Sequence, residues 1–316
     1  MKRPPRPWLL AAVFALLCLI WGTTWAAIRV GLEGIPPFTG VAARFAIASA
    51  ILVALAPVLG ARLGSRGPLE RRLWVANGFL SFFASYGIVY WSEQFVPSGL
   101  AAVLFATFPL FVALLAHAAL PGERLTFAGA SGVALGFGGV AVIFSEDFTR
   151  LGGPGVALAA VVMLGSPIVS AVSNVAIKRW GAGIHPVSLA AVPMGIAAAA
   201  MTPVALIVER DRPVVLDAAS VGALLYLAIA GSAVTFTLYY WLMSHLPATR
   251  VSLIAYVIPL VAVAVGAWLG EPVTFKTLAG TGLVVSGVAL AAVSKKSPAP
   301  ADAGAGRTGK EAGGEA

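Results

Sequence analysis

Few side chains in this chain can do chemistry, and their spacing is informative. Tyr86 and Tyr90 stand four residues apart, and Phe236 and Tyr240 repeat the pair 150 residues later. On a helix an i,i+4 pair shares one face. Each pair therefore either covers a solute route as a gate, one at each end, or anchors its helix in an aromatic belt at the lipid–water boundary. Arg44 falls inside an apolar run, about 9 Å of helix rise from one end, and Glu93 closes another run on the same side. An ionisable group at membrane depth is a functional candidate by default. The two can pair with each other, or each can snorkel to the interface.

The remaining polar candidates carry hydroxyls or amides: Thr23, Thr24, Asn77, Ser166, Ser170, Ser173 and Asn174. An offset of 149 pairs Thr24 with Ser173. Singly, such groups bond to backbone or to neighbouring helices in lipid; as a set on related helices they can line a polar path. Pro109 and Pro259 occupy equivalent places inside apolar runs, each removing a backbone donor and bending its helix, and Pro167 can act likewise. His117, His185 and His245 lie far apart with no metal-ligand spacing, and Cys18 is alone, so neither a metal centre nor a disulfide frame is expected. No cofactor motif is present. The spans hold no paired carboxylates and no His–Asp pair, which argues against an enzyme.

These residues are carried by a duplicated membrane-spanning unit. Hydrophobic residues make up 59% of the chain and charged ones 11%, with a mean hydropathy of +0.92. A soluble domain carries about 25% charge, so most of this chain belongs in lipid. Runs of roughly 20 apolar residues, the length of a spanning helix, fall near 8–28, 38–59, 73–93, 98–118, 127–145, 154–176, 187–207, 218–243, 249–269 and 275–293. The first is too long for a signal-peptide core and reads as retained. Tyr90, Trp91, Pro97, Pro109 and Leu110 return at offset 150, and Gly122, Glu123, Thr126, Phe127, Gly132, Leu135, Gly139, Val140 and Ala141 return at offset 148. Five spans per copy force the two copies into opposite senses, the plan from which alternating-access transporters are commonly built.

The expected architecture is an all-α integral membrane protein of ten helices in two inverted five-helix repeats, 8–145 and 154–293. A cytoplasmic segment 1–7 precedes them, and a disordered tail 294–316, rich in Ala, Gly and Pro, follows. Although the net charge is +8, its basic residues are scattered over short loops, so they read as topology signals and not as a nucleic-acid surface. With the N-terminus inside, fifteen Lys and Arg residues face the cytoplasm and five face outward, which places both termini in the cytoplasm. Glu123 and Glu271 read as residues at the starts of the fifth and tenth spans, meeting a positive helix end. Gly132, Gly136 and Gly139, with Gly280 and Gly287, allow close helix approach. The first reading is packing within the bundle, with a homodimer face as the alternative.

Trp21-Gly22-Thr23-Thr24, Pro36-Pro37, Arg44-Phe45, the run Glu93 to Ala102, Pro109-Leu110 and Gly122-Glu123-Arg124-Leu125-Thr126 together resemble the drug/metabolite transporter superfamily, and within it the EamA-like bacterial exporters. The resemblance covers about residues 8 to 293. It implies a ten-helix inverted-repeat fold in the inner membrane and export of small metabolites such as amino acids. A carrier of sugar phosphates would be expected to bury several cations, whereas Arg44 is the lone basic residue within a span. A mostly neutral, aromatic-lined route suits zwitterionic or apolar solutes. Efflux of amino acids or related compounds is the expectation, with a multidrug exporter of lipophilic compounds as the alternative and Glu93 as the carboxylate to watch if protons are coupled.

Overall fold

A computed structural model describes residues 5–65, 67–120, 126–145, 155–246, 251 and 254–293. Among these residues the chain forms helices and no strands. Ten helical segments follow one another: α1 (Pro7–Leu32), α2 (Pro37–Leu55), α3 (Pro68–Ser92), α4 (Ser98–Ala119), α5 (Phe127–Phe144), α6 (Gly155–Trp180), α7 (Pro186–Val208), α8 (Ala218–His245), α9 (Ile254–Trp268) and α10 (Phe275–Val293). Seven of them, α1 to α4 and α6 to α8, are long and apolar enough to cross a membrane. Glu123 and the tail 294–316 lie outside the described residues.

Helix starts follow from local chemistry. Proline opens α1, α2, α3 and α7, where its missing N–H costs no hydrogen bond. Thr126 caps α5 by accepting from Gly129 N–H, and Asp217 caps α8 by accepting from Ser220 N–H at 2.7 Å. Large apolar side chains remain exposed on the outside of the bundle, among them Leu206, Ile207, Trp268, Phe127 and Phe275. Lipid is the solvent that suits such a surface.

Two pairs of repeat-equivalent helices show that the halves are inverted. The carboxylate of Glu209, just past the end of α7, accepts from Phe38 N–H and Thr39 N–H at the start of α2, both at 2.8 Å. Ser49, further along α2, donates to the Ala191 carbonyl early in α7. These contacts require α2 and α7 to run antiparallel. Helices α5 and α10 also run antiparallel, since Lys276 at the start of α10 donates to the Ser145 carbonyl beyond α5. Their contact is made of glycine: a Cβ on Gly139 would meet the Gly280 carbonyl oxygen at 2.7 Å, and one on Gly287 would meet Gly136 N at 2.4 Å. The glycine stripe is thus taken up within one chain. Exchange of the halves also carries the packing of α1 on α9 into that of α6 on α4, and both are observed.

The helices are not uniform. Within α3, residues Gly78–Ala84 form a π-helical turn, and within α8 residues Ile229–Val234 form another. Ser85 N–H reaches back five residues to Leu80 O, and Thr235 N–H reaches back to Ala230 O. Adding 150 to 80 and 85 gives 230 and 235, so the same wide turn is built at the same place in each repeat. Pro109 departs from expectation: α4 is interrupted at Ala106 and Thr107, and Pro109 lies in the first turn of the second segment. It sits where no backbone donor is required, instead of bending a continuous helix. Pro167 has the same relation to an interruption of α6 at Leu164. Pro259 does lie inside a continuous helix, and so do Pro193 and Pro203 in α7.

Candidate functional site

Rings from both halves meet in the middle of the bundle. Phe45 of α2 packs edge-on to Tyr86 of α3 at 4.9 Å, Phe82 to Phe236 of α8 at 4.8 Å, and Tyr86 to Phe236 at 6.3 Å. Trp21 of α1 joins from the side, 5.5 Å from Phe236 and 5.2 Å from Tyr239. Tyr90 and Tyr240 are buried and Tyr86 and Phe236 partly so, which removes the aromatic-belt reading for all four. Nor are the two pairs separate doors at opposite ends. Tyr86 and Phe236 touch, and a single aromatic block joins the pairs through the centre.

A polar cluster sits on each side of this block. The first is toward the end of the bundle that holds Glu93. Arg44 is wholly buried and does not snorkel. Its Nε donates to Ser232 Oγ at 2.8 Å, its Nη2 to the Gly231 carbonyl at 3.0 Å, and its Nη1 to the Tyr90 hydroxyl at 3.4 Å. The guanidinium also lies over the Tyr86 ring, 4.7 Å from its centroid, a favourable placement for a cation. The π-helical turn makes this docking available, because a wide turn disturbs the i→i−4 ladder and presents carbonyls to side chains. The chain must also come close here: a Cβ on Gly231 would meet Thr24 Cγ2 at 2.8 Å.

The second cluster lies toward the opposite end, which holds His245. Asn77, wholly buried immediately before the π-helical turn of α3, donates to the Tyr240 hydroxyl and to the Leu189 carbonyl, both at 3.1 Å. Its carbonyl oxygen accepts from Ser173 at 3.0 Å. Tyr90 and Tyr240 are repeat equivalents, as are Thr24 and Ser173. The two clusters are therefore counterparts in position, with a cation organising one and an amide organising the other.

The other expected residues fall around these clusters. Ser170 donates to Ser85, which bonds Ser166 at 2.7 Å, linking α6 to α3 through three hydroxyls. Asn174 reaches the Tyr239 hydroxyl at 3.2 Å. Thr24 turns its hydroxyl to the Trp21 carbonyl of its own helix, while Thr23 bonds the Tyr226 hydroxyl at 2.6 Å. Pro109 and Pro259 make no polar contact with either cluster. The Arg44–Glu93 pairing that the sequence left open is not formed. Glu93 is wholly buried, and neither carboxylate oxygen has a hydrogen-bond partner among the described residues. Arg29 approaches it but donates to the Glu93 main-chain carbonyl, at 2.9 Å. Glu271 does meet a positive helix end, yet not that of its own helix: it accepts from Ser98 N–H, Ser98 Oγ and Gly99 N–H at the start of α4.

Sequence reasoning missed Ser232, Gly231, Ser85 and Tyr239. Ser232 has Phe82 as its counterpart at offset 150, Gly231 contributes a main-chain carbonyl that no side chain announces, and no residue type marks a π-helical turn. Tyr239 adjoins Tyr240 and was there to be noticed.

A family model described as the EamA-like transporter family matches residues 7–145 and 157–293. The chain is 31% identical over 298 residues to the "Uncharacterized inner membrane transporter YedA" of Escherichia coli (strain K12), covering 91% of each. It is also 31% identical over 287 residues to the "Probable terminal-alkyne amino-acid exporter" of Streptantibioticus cattleyicolor, covering 88% of this chain and 92% of that one. A solved crystal structure superposes with a TM-score of 0.68 at 21% identity, covering 89% of this chain and 96% of that one, which speaks to the fold.

Proposed function

The chain belongs to the EamA-like transporter family, and from that premise we propose that it is an inner-membrane efflux permease for amino acids or related neutral and zwitterionic compounds, working by alternating access. The observation that carries this reading is the pair of polar clusters, one organised by Arg44 and one by Asn77, on antiparallel halves with an aromatic block between them. Each cluster ties α3 or α2 of one half to α8 or α7 of the other. Releasing one while keeping the other opens the route to one side only. With both made, the route would be closed at both ends. The positive-inside bias puts the Glu93 end outside and both termini in the cytoplasm.

Binding in the middle then relies on rings from Phe45, Phe82, Tyr86 and Phe236 for the apolar part of a solute. Those same rings favour a second reading, export of lipophilic drugs. One experiment separates them: protein reconstituted in liposomes is given a panel of labelled amino acids and a lipophilic dye, with and without a pH gradient. Movement of amino acids supports the first reading, and movement of the dye alone replaces it with the second.

A further inference from the structure

We propose that Arg44 and Glu93 together hold the two charges of an α-amino acid, the guanidinium taking the carboxylate and the Glu93 carboxylate taking the ammonium. This deepens the exporter reading and rests on it. The starting observation is that two buried groups able to carry opposite charges occur in one neighbourhood and make no bond to each other. Arg44 and Glu93 are both wholly buried and within electrostatic reach of one another. Arg44 is held instead by neutral partners, the Ser232 and Tyr90 hydroxyls and the Gly231 carbonyl. Those bonds use one N–H on Nε and one on each Nη, and the Tyr86 side chain also engages the guanidinium, so of the five donors a guanidinium carries at least one on an Nη remains. On the other side, both oxygens of Glu93 lack a partner among the described residues.

Either group left in this condition is unfavourable, since a buried charge ordinarily demands a partner with hydrogen bonds. A ligand bearing both complementary charges relieves both at once. The surroundings match a ligand of zero net charge. Arg29 and Glu271 are the other charged groups facing Glu93, so two cations and two carboxylates gather there. Arg29 is exposed and donates to the Glu93 main-chain carbonyl, and Glu271 is held by the start of α4, so Arg44 and Glu93 are the wholly buried pair with unused capacity. Tyr90 lies between them in chemistry as in sequence: three residues before Glu93 on the same helix, it offers its hydroxyl to Arg44. Tyr86 then leads from this charged head group into the aromatic block, where the side chain of the amino acid would lie.

The test uses three compounds with one ring: L-phenylalanine, L-phenylalaninamide, which lacks the carboxylate, and 3-phenylpropionate, which lacks the ammonium. Transport of each is compared in liposomes carrying wild-type protein, Arg44→Gln or Glu93→Gln. Wild-type protein is expected to favour phenylalanine over both analogues by about tenfold or more, as a site does when an analogue leaves a buried polar group unpaired. Arg44→Gln should erase the preference over the amide and keep that over phenylpropionate, and Glu93→Gln should do the reverse. Each preference is a ratio within one variant, so a lower yield of folded protein does not alter it. If Arg44→Gln does not insert, Arg44→Lys takes its place and is expected to shrink the preference over the amide, because an ammonium lacks the two-pronged fork. Wild-type protein that treats the three alike, or variants that keep both preferences, overturns the pairing while the exporter reading survives on the other amino acids. If no amino acid moves and the dye does, both fall together.

Discussion

Tyr90 and Tyr240 occupy one position in two repeats, yet they are held unequally. Tyr240 receives a 3.1 Å bond from Asn77 and Tyr90 a longer, 3.4 Å bond from Arg44, and each donor keeps two other contacts if its tyrosine is lost, so the shorter bond is the larger loss. Removing one partner of a buried bond leaves the other unsatisfied, at a cost of about 1–3 kcal/mol. Tyr240→Phe is therefore expected to lower the thermal unfolding midpoint in detergent more than Tyr90→Phe does, and both are expected to slow flux. Equal or reversed shifts would show that these hydroxyls do not hold the clusters. Arg44 was legible as a functional candidate because a lone cation in an apolar run stands out. Its partners were not legible, because Ser232 and the Gly231 carbonyl have nothing in their residue types that announces them.

The elements repeat this contrast. Ten apolar runs and the inverted halves could be read from hydropathy and an internal repeat, since lipid imposes both length and helicity on whatever crosses it. The Trp21-Gly22-Thr23-Thr24 segment was visible as a motif, and the structure supplies its reasons: Trp21 packs on Phe236, a Cβ on Gly22 would meet Val261 of α9 at 2.5 Å, Thr23 bonds Tyr226, and Thr24 abuts Gly231. The paired π-helical turns were not visible, because a turn of that kind depends on what the neighbouring helices offer its freed carbonyls. Neither was the interruption of α4, where Pro109 alone suggested a bend. The contact between α5 and α10 gives a test with its control built in. Gly139→Ala puts a Cβ 2.7 Å from the Gly280 carbonyl oxygen, whereas the adjacent Gly138→Ala meets nothing within 4 Å. Relative to glycine, alanine favours a helix interior by about 1 kcal/mol, so Gly138→Ala should raise the unfolding midpoint and Gly139→Ala should lower it. Midpoints moving in the same direction would mean that α5 and α10 do not depend on this close approach.

At the scale of the whole molecule, inversion ties structure to mechanism, and it can be tested without any substrate. The loop between α2 and α3 and the loop between α7 and α8 are repeat equivalents, since 61 and 211 differ by the offset of 150. If the halves are inverted, equivalent loops lie on opposite faces of the membrane. The second of them closes over the start of α2, where Val215 N–H donates to the Gly34 carbonyl at 2.8 Å, and so it belongs to the Glu93 end. Cys18 is the native cysteine and is buried, so a Cys18→Ala background leaves introduced thiols to be read singly. In intact cells an impermeant thiol reagent should label Asp211→Cys and not Ser65→Cys, and both should label once the membrane is opened. Labelling of Ser65→Cys alone would turn the molecule over, placing the Arg44–Glu93 neighbourhood at the cytoplasmic face and reversing which cluster releases first during export. Labelling of both from outside would break the antiparallel relation of the halves. The two clusters would then no longer stand at opposite faces of a single route, and alternation between them would have no structural basis.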